Sequence, residues 1–219
     1  MYQCIKCKKK IFENSKNCQI QKNCPLPILK IKKKRETGGG ILIFSKNNKK
    51  ASLKNYNVNN IKIFYKNYLN WLFKTFKTNN SFLRKQIFEG INLKKKQKIL
   101  ITGCGLGHDI IYLIKNINNS TKIYAQDYSK DLINECYKKI KRKKLYFNIS
   151  NAMNLPFKDN VFDVVFHFEG INLFGSIKKS ILEMHRVAKN NGIIRFGDEG
   201  VGSWLRKTEN SDMVINNNA

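Results

Sequence analysis

A glycine-rich turn placed directly after an apolar run constrains this 219-residue chain more than any other feature. Residues 99–102 are apolar or β-branched, and Gly103, Gly105 and Gly107 follow with G-x-G-x-G spacing. Apolar residues then recur at helical spacing over residues 110–117. A buried strand, a tight turn and a helix in this order let the backbone approach a nucleotide-like ligand closely. Glycine suits such a turn because a Cβ would obstruct both a positive φ and the ligand.

The spacing of the glycines also indicates which ligand the turn suits. Dinucleotide-binding turns have the pattern G-x-G-x-x-G, and phosphate-binding loops have G-x-x-x-x-G-K-[ST]. Here the third glycine comes one residue early, at Gly107, and no Lys-Ser or Lys-Thr pair follows it. The turn therefore favours a ligand that has no pyrophosphate group.

Three later segments follow the turn in the order expected of one α/β domain. A strand-like run over 121–126 ends at Asp127, 20 residues after Gly107, about where a strand-end carboxylate meets ribose hydroxyls. Residues 151–165 read N-A-M-N-L-P-F-K-D-N-V-F-D-V-V, and residues 183–196 read E-M-H-R-V-A-K-N-N-G-I-I-R-F. With the glycine turn, these segments resemble the motifs of class I S-adenosylmethionine-dependent methyltransferases. The L-P-F and R-V-x-K-x-G pieces are similar to the broad type 11 group of that family.

The resemblance implies an α/β fold over residues 61–219, with a Rossmann-like, mostly parallel sheet flanked by helices. It also implies S-adenosyl-L-methionine as the cofactor, with the glycines facing its methionine and ribose portions and Asp127 its ribose hydroxyls. Asn151 with Ala152 would face the adenine. The implied cofactor-binding residues are Gly103, Cys104, Gly105, Gly107, Asp127, Tyr128, Asn151, Ala152 and His167.

The chain departs from the family pattern at two of these positions. The acidic residue that most members place two before the first glycine is Ile101 here, so the amino-acid end of the cofactor loses one anchor. Asn151 stands where aspartate is usual, although its amide oxygen can still accept from the adenine amino group.

Polar residues at the ends of two later strands are the candidates for work on the substrate. The predicted strand within 161–170 carries His167 and Glu169, and the strand over 193–196 leads to Asp198 and Glu199. Ligands of open α/β sheets bind at the carboxyl ends of the strands. His167 could act as a general base or line the methionine part of the cofactor. Asp198 or Glu199 could orient a substrate amine or hydroxyl.

An aromatic-rich region over residues 60–88 precedes the first strand and has helical periodicity. A second helix is predicted over residues 82–91. In enzymes of the resembling family a helix in this position covers the cofactor, so Tyr65 and Tyr68 are candidate pocket residues. Packing in the core is the simpler interpretation of both.

The N-terminal region carries four of the six cysteines, as Cys4-x2-Cys7 and Cys18-x5-Cys24. Four thiolates suit tetrahedral Zn²⁺, so residues 1–30 are predicted to form a structural zinc knuckle. Four reduced cysteines in a basic tail are the alternative. Residues 31–60 form a basic connector whose apolar piece, 41–44, is either a short strand on the knuckle or an isolated patch.

The formal net charge of +27 raises the possibility of an RNA partner. Lysine, asparagine and isoleucine are abundant throughout the chain, which is also typical of an AT-rich coding sequence. The composition therefore favours no dedicated polyanion site. The sequence has no membrane-length apolar run and no signal peptide, so a soluble, cytoplasmic protein is expected; the oligomeric state is not indicated.

The C-terminus is shorter than the resembling fold requires. That fold adds a helix and an antiparallel hairpin after its fifth strand, which corresponds to residues 193–196 here. Only 19 residues follow Gly200. We expect a methyltransferase domain that lacks the hairpin, as a fragment or a truncated product.

Three functional classes remain open. The first is a small-molecule methyltransferase, which can act by holding the reactants in line and needs no catalytic triad. The second is an rRNA or tRNA methyltransferase that uses the knuckle and the basic surface, although no N-P-P-Y-like tetrapeptide follows the fourth strand. The third is an inactive cofactor-binding module.

Overall fold

The computed structural model describes residues 1–5, 8, 29–31, 41–44, 58–75 and 77–198. From residue 98 onward strands alternate with α-helices, except between residues 149 and 162, where the connection contains only a short 3₁₀ helix. The elements in chain order are β1 (Leu29–Ile31), β2 (Ile41–Ile43), α1 (Val58–Thr75), α2 (Asn80–Ile87), β3 (Lys98–Thr102), α3 (His108–Asn116), β4 (Lys122–Asp127), α4 (Lys130–Lys139), β5 (Leu145–Ile149), β6 (Phe162–Phe168), α5 (Ile177–Val187) and β7 (Ala188–Gly197). Two 3₁₀ helices, Ala152–Asn154 and Ile171–Phe174, flank β6.

The described strands form one seven-stranded sheet in the order β1-β2-β5-β4-β3-β6-β7. Strands β2 to β7 are parallel to their neighbours, and only β1 pairs antiparallel with β2. From β3 the chain therefore winds first toward β5 and then, in the opposite direction, toward β7, with helices on each face of the sheet. This confirms the predicted Rossmann-like, mostly parallel sheet.

Alternate side chains of β3 supply both halves of the core. Ile99 and Ile101 pack with α3 and α4 on one face of the sheet. Leu100 packs with Met184 and Val187 of α5 on the opposite face. Successive side chains of a strand point to opposite faces, so a strand covered on both sides reads as a continuous apolar run. The apolar run before the glycine turn has this cause.

The start of the chain packs on the same domain. Tyr2 forms an antiparallel bridge with Phe157, and their ring centroids are 5.1 Å apart. Ile41–Ile43 pairs with β1 on one side and with β5 on the other, so this piece is a strand of the sheet and not an isolated patch. The backbone nitrogen of Phe44 donates to the carbonyl of Ile149 at 2.8 Å. Pairing satisfies backbone groups that a bare edge of β5 would expose.

The L-P-F and R-V-x-K segments begin 31 residues apart in the sequence and meet through Arg186. Its Nη2 donates to the carbonyl of Leu155 at 3.0 Å, and its Nη1 donates to the carbonyl of Phe157 at 2.8 Å. Glu183 pairs with Arg186 and accepts from the Leu155 nitrogen at 2.7 Å. These residues fasten α5 to the loop before β6, which gives both motifs a structural role.

Strand β7, which the sequence predicts over residues 193–196, begins earlier because α5 passes directly into extended backbone at Ala188. The register between β6 and β7 shifts between Phe162 and Val164, which accommodates residues 189–192. The described residues end at 198. The candidate Glu199 and the part of the chain where the hairpin was expected to be missing therefore lie outside them. No α-helix in the described part of the chain combines the length and the apolar character that a bilayer crossing requires.

Candidate functional site

The glycine turn connects the carboxyl end of β3 to the first residue of α3. Gly103, Gly105 and Gly107 have φ angles of +61°, +50° and +84°, in the left-handed region that favours glycine. The nitrogen of Cys104 donates to the carbonyl of Gln126 at 2.9 Å, which joins the turn to β4. The carbonyl of Cys104 accepts from the Gly107 nitrogen at 2.8 Å, which closes the turn.

The three glycines face different surroundings. A Cβ on Gly107 would lie 2.7 Å from Ile140 Cδ1 and 2.9 Å from Cys136 Sγ, so this glycine lets the turn pack on α4. A Cβ on Gly105 would meet no atom closer than 4.0 Å, so the space beside Gly105 is open. The open side of the turn is therefore at its middle glycine, where a ligand can reach the backbone.

Asp127 joins the end of β4 to this turn. Its Oδ2 accepts from the Gly105 nitrogen at 2.9 Å, and its Oδ1 accepts from the Ser129 nitrogen at 2.8 Å. Burial raises the pKa of Asp127 above its ordinary value, and backbone N–H groups of Ser129, Gly105 and Tyr128 oppose that rise. A carboxylate has about four lone-pair sites, so both oxygens can accept further hydrogen bonds from a ligand.

Asn151 and Ala152 follow β5, the next strand along the sheet. Asn151 Oδ1 accepts from the Met153 nitrogen at 2.8 Å and caps the 3₁₀ helix Ala152–Asn154. Asn151 is half-buried and Ala152 is buried. A second lone pair of the Asn151 oxygen stays available to a donor. The strand order places Asn151, Asp127 and the glycine turn at three consecutive strand ends.

His167 lies on the other side of β3, near the end of β6. Its Nδ1 is 2.9 Å from the carbonyl oxygen of Thr102, and its ring is fully buried. A carbonyl only accepts, so the proton is on Nδ1 and the ring presents a lone pair at Nε2. Burial lowers the pKa of His167, an effect that the Thr102 carbonyl and the Asp198 carboxylate oppose. The imidazole is therefore neutral near pH 7.

Glu169 and Asp198 directly follow the ends of β6 and β7. Asp198 accepts from the Gly170 nitrogen at 2.9 Å and from the Ile171 nitrogen at 2.8 Å, which caps the 3₁₀ helix Ile171–Phe174. Glu169 has a φ of +67°, and its nitrogen donates to the Gly197 carbonyl at 3.0 Å. The catalytic roles suggested for both carboxylates stay predictions.

Phe174 is a site residue that the sequence reasoning missed. Its ring centroid is 4.6 Å from that of His167. A Cβ on Gly103 would lie 2.9 Å from Phe174 Cζ and 3.2 Å from His167 Cε1. Phe174 thus covers the first glycine and the histidine together. Nothing in an aromatic residue within a short 3₁₀ helix signals this role beforehand.

Gln126 is a second missed residue. Its Oε1 accepts from the Gly103 nitrogen at 3.2 Å, and its Nε2 donates to the carbonyl of Ser150. One buried amide therefore links the ends of β3, β4 and β5. The signal was a glutamine inside a strand whose other residues are mostly apolar, because a buried amide requires partners.

Arg84 of α2 is a third. Its Nε is 2.8 Å from Asp109 Oδ1, and both side chains are almost fully buried. The guanidinium also lies 5.7 Å from the centroid of the Phe168 ring. Burial raises the pKa of Asp109, and the charge of Arg84 opposes the rise. Asp109 therefore neutralises a buried cation beside the site, in addition to the helix-dipole interaction that its position indicates.

The remaining predicted residues have simpler surroundings. A hydrogen bond with Cys136, together with burial, raises the pKa of Cys104 well above its ordinary value, so Cys104 packs as a protonated thiol. Tyr68 is half-buried, with its ring centroid 6.2 Å from that of Trp71 on the same helix. The side chain of Tyr65 lies outside the described residues.

Of the four knuckle cysteines, only Cys4 is described. It is 2% exposed and belongs to an apolar cluster with Tyr2, Phe44 and Phe157. Within the described ranges, no group of three or more histidines, cysteines, aspartates or glutamates could hold a metal ion. Cys7, Cys18 and Cys24 lie outside these ranges, so the zinc knuckle stays a prediction.

Comparison with known proteins gives a family match. A family model described as a methyltransferase domain matches residues 93–218. The chain is 33% identical over 114 residues to the demethylmenaquinone methyltransferase of Geobacillus stearothermophilus, across 50% of this chain and 48% of that protein. It is 29% identical over 143 residues to the same enzyme of Geobacillus sp. strain WCH70, across 64% and 56%. The chain thus spans about half the length of these curated relatives.

Solved structures match the fold. A putative S-adenosyl-L-methionine-dependent methyltransferase from Methanococcus maripaludis aligns with a TM-score of 0.56 at 20% identity, over 79% of this chain and 75% of that one. A putative methyltransferase from Bacillus halodurans aligns with a TM-score of 0.52 at 19% identity, over 61% and 56%. At these identities the likeness is one of architecture.

Proposed function

The chain belongs to the methyltransferase-domain family, and from that premise we propose that it transfers a methyl group from S-adenosylmethionine to a small-molecule acceptor. The hydrogen bond between Asp127 and Gly105 carries the proposal, because it joins a strand-end carboxylate to the open part of the glycine turn. A nucleoside placed there can meet the carboxylate and the turn together.

The residues present fit this cofactor. The space beside Gly105 accepts a ligand that a Cβ would exclude. Asp127 can accept from ribose hydroxyls, and Asn151 can accept from the adenine amino group. Their strand ends are neighbours, so the two parts of an adenosine can occupy them in order. The cofactor would therefore lie across the carboxyl ends of β5, β4 and β3.

The mechanism requires positioning more than acid–base chemistry. When bound, S-adenosylmethionine would supply a methyl group on a positively charged sulfur. The sulfur is the leaving group when a nucleophile attacks the methyl carbon in line. Asp127 and the glycine turn would fix the nucleoside, and the covering residues Phe174 and His167 would exclude water beside Gly103. Holding the reactants in such an orientation can supply several kcal/mol of the barrier reduction, about 7–11 in favourable cases.

The proposed acceptor class rests on the relatives. The two Geobacillus proteins are named demethylmenaquinone methyltransferases, so an apolar quinone-like small molecule is the first acceptor to test. The RNA alternative retains the support of the +27 net charge and the cysteine spacing alone. If the cysteines form the proposed zinc knuckle, metal analysis of the purified protein should find about one zinc per chain. The Cys4→Ser variant should lose that zinc.

A labelled-methyl experiment tests the function and the acceptor class together. The full chain is incubated with S-adenosylmethionine carrying a labelled methyl group and with a cell extract. Label is then counted in the organic-soluble fraction and in RNA. The proposal expects label in the organic fraction, and much less label with Asp127→Ala at a cofactor concentration that does not saturate the variant. Label in RNA would favour the alternative, and no transfer together with no cofactor binding by calorimetry would contradict the methyltransferase assignment.

A further inference from the structure

Helix α1 presents an exposed face that the proposed chemistry does not use. The exposed residues among its described side chains recur at i, i+3, i+4, i+7, i+8 and i+11, which places them along one side of the helix. The α1 face consists of Ile63, Lys66, Asn67, Asn70, Trp71 and Lys74. Leu69 is buried on the other side of the helix. The helix precedes residues 93–218, so the family match does not account for this face.

Two large apolar side chains belong to the α1 face. Ile63 is 61% exposed and Trp71 is 58% exposed. Tryptophan is highly buried on average, so a tryptophan exposed to this degree beside an exposed isoleucine favours an interaction surface. The two residues are eight positions apart, about 12 Å along the helix axis, and both can contact one flat surface.

The charge around the α1 face has one sign. Lys66 and Lys74 are exposed on it, and residues 37–88 include ten Lys or Arg but no Asp or Glu. With 15 acidic residues in 219 overall, about three or four would be expected in these 52 residues. An AT-rich coding sequence accounts for the lysines, but it does not deplete acidic residues in one segment only. The surroundings of the face therefore favour an anionic partner.

The mixture of lysines with aliphatic and indole side chains selects among anionic partners. At a bilayer surface, indole rings lie at the headgroup level, aliphatic side chains insert beside them, and lysine stems extend back to lipid phosphates. RNA would gain nothing from Ile63. Helix α1 also contains no arginine, the residue whose guanidinium pairs with phosphate through two hydrogen bonds. The face thus fits an anionic lipid surface better than RNA.

We propose that the α1 face binds the surface of a membrane that contains anionic lipids. Ile63 and Trp71 insert at the headgroup level, and Lys66 and Lys74 contact lipid phosphates. The helix lies in the plane of the membrane, so no segment has to cross the bilayer. This surface goes beyond the proposed function. An apolar acceptor would dissolve in the same bilayer, and only this link rests on the proposed function.

Co-sedimentation of the full chain with vesicles tests the assignment. The vesicles contain phosphatidylcholine either alone or mixed with anionic phosphatidylglycerol, and the wild type should bind the mixed vesicles more tightly. Trp71→Ala should lower the partition coefficient about 5- to 20-fold, the loss expected for part of a buried aromatic ring. Lys66→Gln combined with Lys74→Gln should lower it about 25-fold on anionic vesicles, since each lysine near such a surface contributes about fivefold.

Leu182→Ala is the matched control, because Leu182 is also 58% exposed but belongs to α5. Its partition coefficient should stay within about twofold of the wild-type value. Quenching by brominated lipid gives a second measurement that does not depend on these variants. In Trp204→Phe, Trp71 is the single remaining tryptophan, and vesicles with brominated lipid should quench its fluorescence.

Three results would overturn the assignment: no binding of the wild type to anionic vesicles, no quenching of Trp71, or an equal loss in Trp71→Ala and Leu182→Ala. RNA binding that the lysine variant loses, without vesicle binding, would give the face to RNA and would also overturn it. The cofactor is absent from these measurements. Vesicle binding by a chain that does not bind S-adenosylhomocysteine would therefore support the α1 face and contradict only the proposed function.

Discussion

Asp127 Oδ2 lies 2.9 Å from the backbone nitrogen of Gly105, although the two residues belong to different strand ends. The carboxylate therefore holds the backbone of Gly105 in place and can still accept a hydrogen bond from a ligand. Parallel pairing of β3 with β4 brings them together, with Thr102 opposite Gln126 in the register. The adenosine end of the proposed site is thus built by adjacent strands before any ligand arrives.

Replacing Asp127 by alanine should weaken binding of S-adenosylhomocysteine by about 1.5–3 kcal/mol, the cost of losing charge-assisted hydrogen bonds. Calorimetry on the folded variant measures the effect. Asp131→Ala is the matched control, since Asp131 is an exposed carboxylate on α4 and should leave the affinity unchanged. Wild-type affinity in Asp127→Ala would remove Asp127 from the site.

Asp127 should also make stability depend on pH. Its pKa is raised in the folded chain, so the folded state binds this proton more tightly than the unfolded state does. The free energy of unfolding therefore falls as pH rises from the unfolded pKa, about 3.9, through the higher folded pKa. Asp127→Asn removes this contribution, while any offset from the altered hydrogen bonds is independent of pH.

Urea unfolding of wild type and Asp127→Asn between about pH 3.5 and pH 7 measures the difference. We expect the stability of the wild type relative to the variant to decrease with rising pH. Parallel curves, or a relative gain for the wild type, would contradict the raised pKa.

Gly105→Ala and Gly107→Ala should have opposite main effects. The Gly105 substitution places a methyl group in open space, so it should cost only the left-handed backbone strain, about 1–2 kcal/mol, while obstructing the ligand. The Gly107 substitution adds a clash with Ile140 and Cys136, so it should cost about 2–4 kcal/mol of stability.

Urea unfolding and S-adenosylhomocysteine calorimetry on both glycine variants separate the two effects. Gly105→Ala should lose most of its ligand affinity and keep most of its stability. Equal destabilisation of the two variants, with equal affinity, would show that the middle glycine does not face the ligand.

Phe157→Ala should destabilise the fold by about 3–5 kcal/mol, because a fully buried ring is removed from contact with Tyr2, Tyr124 and Phe162. Phe82→Ala is the matched control. Its side chain is about half exposed at 51%, so the change should stay within about 0.5 kcal/mol. Chemical denaturation compares them, and similar losses would contradict the place of Phe157 in the core.

The sequence predicts the central features of this fold because they depend on short-range patterns. The strand, the turn and the start of α3 follow from the apolar run and the glycine spacing. Asp127 at the end of β4 follows from the same logic, since parallel strands end at one edge of the sheet. These features supply the adenosine half of the proposed site.

Other contacts depend on how distant segments pack. Arg84 and Asp109 meet because α2 lies against α3, and no spacing rule connects them. The three-residue strand Ile41–Ile43 is too short for its periodicity to specify a partner. Phe174 reaches His167 from a 3₁₀ helix whose first turn is hydrogen-bonded to Asp198, 24 residues later in the chain.

The amide of Gln126 hydrogen-bonds to both the glycine turn and the end of β5, so it fixes these two parts of the sheet edge relative to each other. A ligand that binds there meets a surface whose shape is already set. Little conformational entropy is then lost on binding, and more of the interaction free energy is expressed as affinity.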